Sequence, residues 1–176
     1  YPVGAKMTAD LYLSGQISKA QAYRMTSFCS TSGPMFIIGA VGAGMLKSSL
    51  FGYVIFIAHV LGAIINGFLY KNLKAKEEDV KMYSNSPQKQ PLSIGDIVND
   101  SALSIIAVGT IIAIFFVFIR SLAPFFNLFP ASIVGTLEGL IEITKGCLDI
   151  ASILPLKLAT LACTFVISFG GLSTIL

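Results

Sequence analysis

The sequence has few charged or readily titratable side chains. Only 12% of its 176 residues are charged, histidine occurs once and tryptophan is absent, whereas 55% of the residues are hydrophobic. An ordinary soluble domain has about twice this charged fraction. The shortage of charge therefore argues against a soluble domain and indicates an integral membrane protein with the lipid bilayer as its partner. Lysines concentrate in one loop, so the net charge of +3 indicates membrane topology rather than nucleic-acid binding.

Signatures of the usual enzymes and metal sites are also missing. The three cysteines, Cys29, Cys147 and Cys163, have no C-x-x-C spacing, which argues against a disulfide framework or a zinc site. The sequence has no Walker loop, G-x-S-x-G motif or H-E-x-x-H motif. We therefore expect neither an enzyme nor a metal or cofactor site. The absence of an initiator Met and the apolar final residues predict an internal fragment of a longer protein.

Two segments are long and apolar enough to cross a bilayer. They are Ser49–Tyr70 and Ala102–Ile119, and a membrane-spanning helix needs about 20 such residues. Residues 71–91 between them are hydrophilic and rich in lysine, so the positive-inside rule predicts a cytoplasmic loop. The expected fold is all-α, a polytopic helical membrane protein with re-entrant or broken helices. We expect a first half over residues 1–70, a loop and lead-in over 71–100, and a second half over 101–176.

A polar break interrupts the first half. A capping box of Ser18 and Gln21 predicts a helix over Lys19–Cys29, and a proline then predicts a new helix from Met35 to about Leu46. Irregular backbone at membrane depth survives only where protein or a polar cavity satisfies it, so the break is a candidate site for an anionic ligand group. The alternative is a turn at the membrane surface. The break consists of Thr31, Ser32, Gly33 and Pro34.

The second half carries a charged stripe. Residues 134–154 are predicted as one helix with four charged side chains at spacings of four, three and four. At about 100° per residue the four fall within roughly a 60° arc. Such a stripe should face a cavity or another protein segment and bind a coupling proton, Na⁺ or a polar substrate. The alternatives are an interfacial amphipathic helix or simple ion pairs. The four residues are Glu138, Glu142, Lys145 and Asp149.

A second small-residue break, residues 168–173, overlaps the end of the predicted helix Leu156–Phe169. It contains Ser168, Gly170, Gly171 and Ser173. Each half thus has an ionisable helix followed by an apolar helix with a break, although residue identity between the halves is weak. The layout raises the hypothesis of an internal inverted repeat, as in secondary transporters.

Four further polar residues have competing interpretations. His59 and Asn66 are seven residues apart on one span and therefore share a face, where we expect them to bond a neighbouring helix. Lys6 and Arg24 either pair with a substrate carboxylate or extend to the lipid headgroups.

Four blocks of sequence resemble, in the same order, the YlbJ family of sporulation integral membrane proteins, also called SpoVV. The blocks are YPVGAK at 1–6, SFCSTSGPMFIIG at 27–39, LEGLIEITKG at 137–146 and SFGGLS at 168–173. That family carries the nucleoside-recognition, or Gate, domain and is distantly similar to concentrative nucleoside transporters. The resemblance implies a transporter of endospore formers that moves dipicolinic acid across the outer forespore membrane. The rivals are a nucleoside or nucleobase carrier and a non-transporting scaffold or sensor for spore cortex formation.

The family blocks and the residue patterns together give the expected substrate-binding set. A carrier should bring several of these groups to one buried locus, whereas a scaffold has no reason to do so. The expected partners are a small anionic substrate and the lipid bilayer, with a coupling ion and homo-oligomers left open. The set is Lys6, Thr31, Ser32, Gly33, Glu138, Glu142, Thr144, Lys145, Ser168, Gly170, Gly171 and Ser173.

Overall fold

The computed structural model describes residues 2–29, 31–72, 93–126 and 128–174. Within these ranges the regular structure is entirely helical and includes no strand, which confirms the all-α prediction. The chain divides into two compact units, residues 1–43 with 48–87 and residues 44–47 with 88–176. Each unit is described by itself below.

The first unit begins with two packed helices, α1 (Pro2–Leu13) and α2 (Lys19–Cys29). Gly4 of α1 lies against the Cys29 carbonyl group, and no larger residue would fit there. The predicted capping box is confirmed. The Ser18 amide donates to Gln21 Oε1 at 2.7 Å, and the Gln21 amide donates to Ser18 Oγ at 3.3 Å. These two bonds satisfy donors that would otherwise be free at the start of α2.

A π-helix, Met35–Met45, and the long helix α3, Ser49–Leu69, follow in the chain. The predicted extent of the helix after Pro34 is confirmed, but its wide π winding was not predicted. Gly42 and Gly52 form the contact between the two helices: a Cβ atom on Gly42 would lie 2.6 Å from the Gly52 Cα. Close backbone approach through small residues is typical of helix pairs in membranes.

The second unit contains α4 (Ile94–Ser121), the single turn α5 (Ala123–Phe126), α6 (Ala131–Ile141), α7 (Ile143–Ile153) and α8 (Leu156–Phe169). The predicted lead-in and second span form one continuous helix, α4. Helices α6, α7 and α8 pack together around an apolar core. The fully or almost fully buried residues of this core are Ile143, Cys147, Ile150, Ala159, Cys163, Val166 and Ile167.

Among the described residues, two helices are long and apolar enough to cross a membrane, Ser49–Leu69 and Ser101–Ser121, the latter part of α4. Only 17% and 6% of their most apolar stretches are buried by the protein. A helix that is apolar all round would be enclosed in a soluble core, so these exposed surfaces fit contact with lipid. The cytoplasmic prediction for the lysine-rich loop falls mostly on residues 73–92, outside the described residues.

Candidate functional site

The prediction of one helix over residues 134–154 is wrong, because the chain turns back at Glu142. Helix α6 ends at Ile141 and α7 begins at Ile143, with Glu142 in an extended conformation (φ −140°, ψ 118°) between them. Each helix has 11 residues, which corresponds to roughly 16 Å. That is about half the thickness of a bilayer's hydrocarbon core. This α6–α7 hairpin therefore has the length of a re-entrant segment rather than of a span.

Glycines allow the two arms of the α6–α7 hairpin to touch. A Cβ atom on Gly146 would collide with the Gly139 backbone, and one on Gly139 would lie 3.3 Å from the Gly146 Cα. Gly135 also lies close to α7, since its Cβ position is 3.2 Å from the Ile150 amide nitrogen. With no side chain between the backbones, a single extended residue suffices to reverse the chain. Glycines on both sides of a buried glutamate were the sequence signal for this turn.

The four predicted charges form a cluster across the hairpin, not a stripe on one helix. Lys145 Nζ of α7 donates to Glu138 Oε2 of α6 at 3.1 Å and also pairs with Asp149 Oδ2. Glu138 and Glu142 are buried, with 7% and 2% of their surface exposed. Three carboxylates and one ammonium group give the cluster a net charge of −2 when all four are ionised. The hairpin is therefore an electronegative element.

Glu142 occupies the turn of the hairpin and caps α7. Its Oε2 atom accepts a hydrogen bond from the Lys145 amide at 2.7 Å, while its own amide donates to the Glu138 carbonyl at 2.7 Å. A carboxylate at a helix N-terminus is stabilised by the free amides and by the helix dipole. Thr144, half-buried, lies in the first turn of α7.

The second predicted break packs against this turn. Gly170 and Gly171 end α8 with φ values of 93° and 68°, a region that favours glycine. A Cβ atom on Gly171 would lie 3.0 Å from Ile143 Cγ1 and 3.5 Å from the Gly139 carbonyl oxygen. Ser173 is buried and its hydroxyl has no hydrogen-bond partner among the described residues, whereas Ser168 is exposed. The fold thus brings the second break and the hairpin turn together, as expected of one site.

Two side chains of α3 bond the chain in and just before the first break, His59 at Ser32 and Asn66 at Ser27 near the end of α2. The Ser32 amide donates to His59 Nε2 at 3.1 Å, and Asn66 Nδ2 donates to the Ser27 carbonyl at 2.8 Å. Asn66 thus bonds a neighbouring helix, α2, as expected, whereas His59 bonds the non-helical break rather than a helix. The Ser32 amide is therefore not free for a ligand. The Ser32 hydroxyl is buried at 4% exposure and has no partner in the part of the chain that the structure describes.

The remaining residues of the expected site differ in exposure. Thr31 is half-buried, while Gly33 and Lys6 are exposed. These three and Ser32 belong to the first unit, and the other eight belong to the second. The convergence of both groups at one locus stays a prediction. The ranges that the structure describes contain no cluster of three or more His, Cys, Asp or Glu residues able to hold a metal ion.

Comparison with known proteins gives one informative relationship. No protein-family model matches the chain, and no solved structure matches it. The chain is 32% identical over 169 residues to the sporulation integral membrane protein YlbJ of Bacillus subtilis (strain 168). The match covers 85% of this chain and 39% of that protein, so the chain spans about two fifths of the length of this curated relative.

Proposed function

Because the chain belongs, over the matched region, to the family of the sporulation integral membrane protein YlbJ, we propose that it forms part of a membrane transporter. A membrane role in sporulation follows from the family. We further propose that the whole protein moves dipicolinic acid across the outer forespore membrane. In this proposal the protein has two related halves with broken helices, arranged as in the concentrative nucleoside transporters.

The observation that carries this proposal is a buried serine hydroxyl in each of the two breaks, neither with a partner within the described ranges. The residues are Ser32 in the first break and Ser173 in the second. A buried polar group without a hydrogen bond costs about 1–3 kcal/mol. A small polar ligand that bonds either hydroxyl would remove the cost at that break. A scaffold has no need to keep such groups, whereas a carrier that binds and releases its substrate does.

The first break has the chemistry to hold a carboxylate. The Ser32 hydroxyl lies just before the N-terminus of the π-helix, Met35–Met45, where the helix dipole favours negative charge. Dipicolinate is a small aromatic dianion, and its carboxylate oxygens accept hydrogen bonds from hydroxyl and amide groups. We therefore assign the anionic end of the substrate to this break rather than to the α6–α7 hairpin.

The hairpin suits a different role in the same transporter. With its carboxylates ionised the hairpin would repel a dianion, but buried carboxylates attract cations or protons. Glu142 is almost fully buried and stands at the turn, next to the glycine break at the end of α8. We assign Glu138 and Glu142 to coupling, through a proton or Na⁺, and not to direct contact with dipicolinate.

A nucleoside or nucleobase carrier is the second candidate. The two serine hydroxyls in the breaks are uncharged, and the hairpin is electronegative. An uncharged substrate rich in hydroxyl and amide groups would fit these features without charge repulsion. Uptake of labelled nucleosides by vesicles containing the full-length protein would favour this candidate, provided that dipicolinate neither enters nor competes.

The test of the first candidate is the dipicolinic acid content of spores from cells that lack the full-length protein. Synthesis in the mother cell is measured in the same cultures. Normal synthesis with empty spores supports the proposal. Spores that fill normally would contradict it, and the nucleoside carrier and the scaffold would then become the better candidates.

Point variants test whether the residues of the candidate site are needed for dipicolinate uptake. Ser32→Ala and Glu142→Gln should each lower dipicolinate uptake without lowering protein abundance. The amide introduced by Glu142→Gln would keep an oxygen that caps α7 but would lose the charge, so the fold should survive. Ser121→Ala is the matched control, because this exposed serine bonds only the Val117 carbonyl of its own helix among the contacts described. Normal uptake in both site variants would refute the assignment.

A further inference from the structure

Two residues of α3 support the first break from behind without being part of the proposed substrate site. His59 accepts a hydrogen bond from the Ser32 amide at 3.1 Å, and Asn66 donates one to the Ser27 carbonyl at 2.8 Å. The two bonds satisfy backbone groups at the two ends of the segment from Ser27 to Ser32, the Ser27 carbonyl and the Ser32 amide. His59 is itself buried, with 8% of its surface exposed.

The direction of the histidine bond defines its protonation state. An imidazole nitrogen that accepts a hydrogen bond carries no proton, so His59 is neutral and has its proton on Nδ1. Protonation would place a second N–H on Nε2, directly opposite the Ser32 N–H. Two donors cannot share a hydrogen bond, so the charged imidazole would push the break away from α3. Asn66 has no such proton equilibrium.

The titratable side chains on the described elements around this bond are few. Helix α2, which packs on α3, carries Lys19, Tyr23, Arg24 and Cys29. Helix α3 itself carries Tyr53, and the turn after it carries Tyr70 and Lys71, about three helical turns from His59. The π-helix carries none. Cys29 is nearest to Ser32 along the chain, and its Sγ lies 3.5 Å from Thr8 Oγ1.

We propose that His59 and Asn66 are positioning residues for the first break and that the neutral state of His59 is required for it. Protonation of His59 releases the Ser32 amide, displaces the Ser32 hydroxyl and lowers substrate binding. The claim that binding falls rests on the proposed transport function. The claim that the break is released by acid does not, and the two are tested separately.

The first test measures amide hydrogen exchange of the full-length protein in detergent micelles, for the segment that contains Ser32. His59→Gln supplies an oxygen acceptor that does not titrate, whereas His59→Leu removes the acceptor. At pH 7.5 the wild type and His59→Gln should exchange equally, and His59→Leu roughly tenfold faster. As the pH is lowered stepwise from 7.5, exchange in the wild type should rise toward that of His59→Leu, while His59→Gln keeps its protection. Comparing variants at one pH cancels the intrinsic effect of pH on exchange.

Two controls separate positioning from general loss of fold. Asn66→Leu should speed exchange near Ser27 by the same factor at every pH value, because an amide does not titrate. Exchange in α7 should stay unchanged in all variants; if His59→Gln alters it, His59→Asn takes its place as the acceptor that does not titrate. An identical pH response in the wild type and His59→Gln would overturn the proposal.

The second test measures dipicolinate uptake by vesicles containing the same variants. His59→Gln should match the wild type at pH 7.5 and retain more uptake at pH 5, with the difference in KM rather than in the maximal rate. If exchange behaves as expected but no variant transports dipicolinate, the proposed substrate is wrong and the histidine contact still stands. If uptake is normal in His59→Leu, the positioning role is wrong.

Discussion

Substituting Gly146 by alanine tests the geometry of the α6–α7 hairpin most directly. The new methyl group would collide with the Gly139 backbone and lie 2.9 Å from the Gly135 carbonyl oxygen. These are backbone atoms, which cannot rotate aside as a side chain can. The two helices would have to separate by roughly an ångström or more to reach an ordinary carbon–carbon contact.

The cost of that separation can be estimated. Overpacking a well-packed core typically costs about 1–3 kcal/mol, and a backbone clash belongs at the upper end of that range. A loss of this size should lower Tm by several degrees in a protein of this size or somewhat larger. The turn at Glu142 would open as well, so dipicolinate uptake should fall further than the loss of folded protein explains.

The assay compares three full-length variants in detergent, by thermal unfolding, and in vesicles, by uptake. Gly62→Ala and Gly109→Ala are matched controls, because a Cβ atom at either position meets no described atom within 4 Å. Both lie on exposed helix surfaces, where alanine is the better helix former. A Gly146→Ala protein as stable and active as the controls would show that α6 and α7 do not touch as described.

Further predictions concern the Ser173 hydroxyl and the charge cluster. Ser173→Ala should raise Tm slightly in the absence of substrate, because it removes a buried hydroxyl that no described residue bonds, and should lower dipicolinate uptake. Thermal unfolding measures the first effect and vesicle uptake the second, and an unchanged uptake would contradict the ligand role. Lys145→Met should destabilise the protein by about 1–3 kcal/mol, since it leaves Glu138 and Asp149 without their shared cation in a partly exposed site. Adding Glu138→Gln to that variant should restore part of the loss, and strictly additive effects would argue against a direct ion pair.

Local features of the fold could be predicted from the sequence because they depend on neighbouring residues. The capping box at Ser18 and Gln21 was predicted from a short motif, and the structure contains both of its hydrogen bonds. The two long apolar helices followed from length and composition. The family followed from short blocks of sequence, which the relationship to YlbJ supports.

The hairpin turn shows where such reasoning fails. Residues 137–146 contain no proline, and their charges repeat with a helical period, so a continuous helix was the natural prediction. The extended conformation of Glu142 brings the two backbones together at Gly139 and Gly146, which are seven residues apart. These glycines are visible in the sequence, but the regular spacing of the charges favoured a continuous helix. Because of the turn, the charges that one helix would have displayed along its side instead link α6 to α7.

For the candidate site, too, some features follow from the sequence and others only from the tertiary structure. The amino-acid sequence by itself determined which polar groups lie in apolar surroundings: Ser32, His59, Glu138, Glu142 and Ser173. Only the tertiary structure decided which of them have partners, because a hydrogen bond depends on where a distant segment lies. Folding joins His59 to the Ser32 amide and Lys145 to Glu138, and within the described ranges it leaves the hydroxyls of Ser32 and Ser173 without a partner.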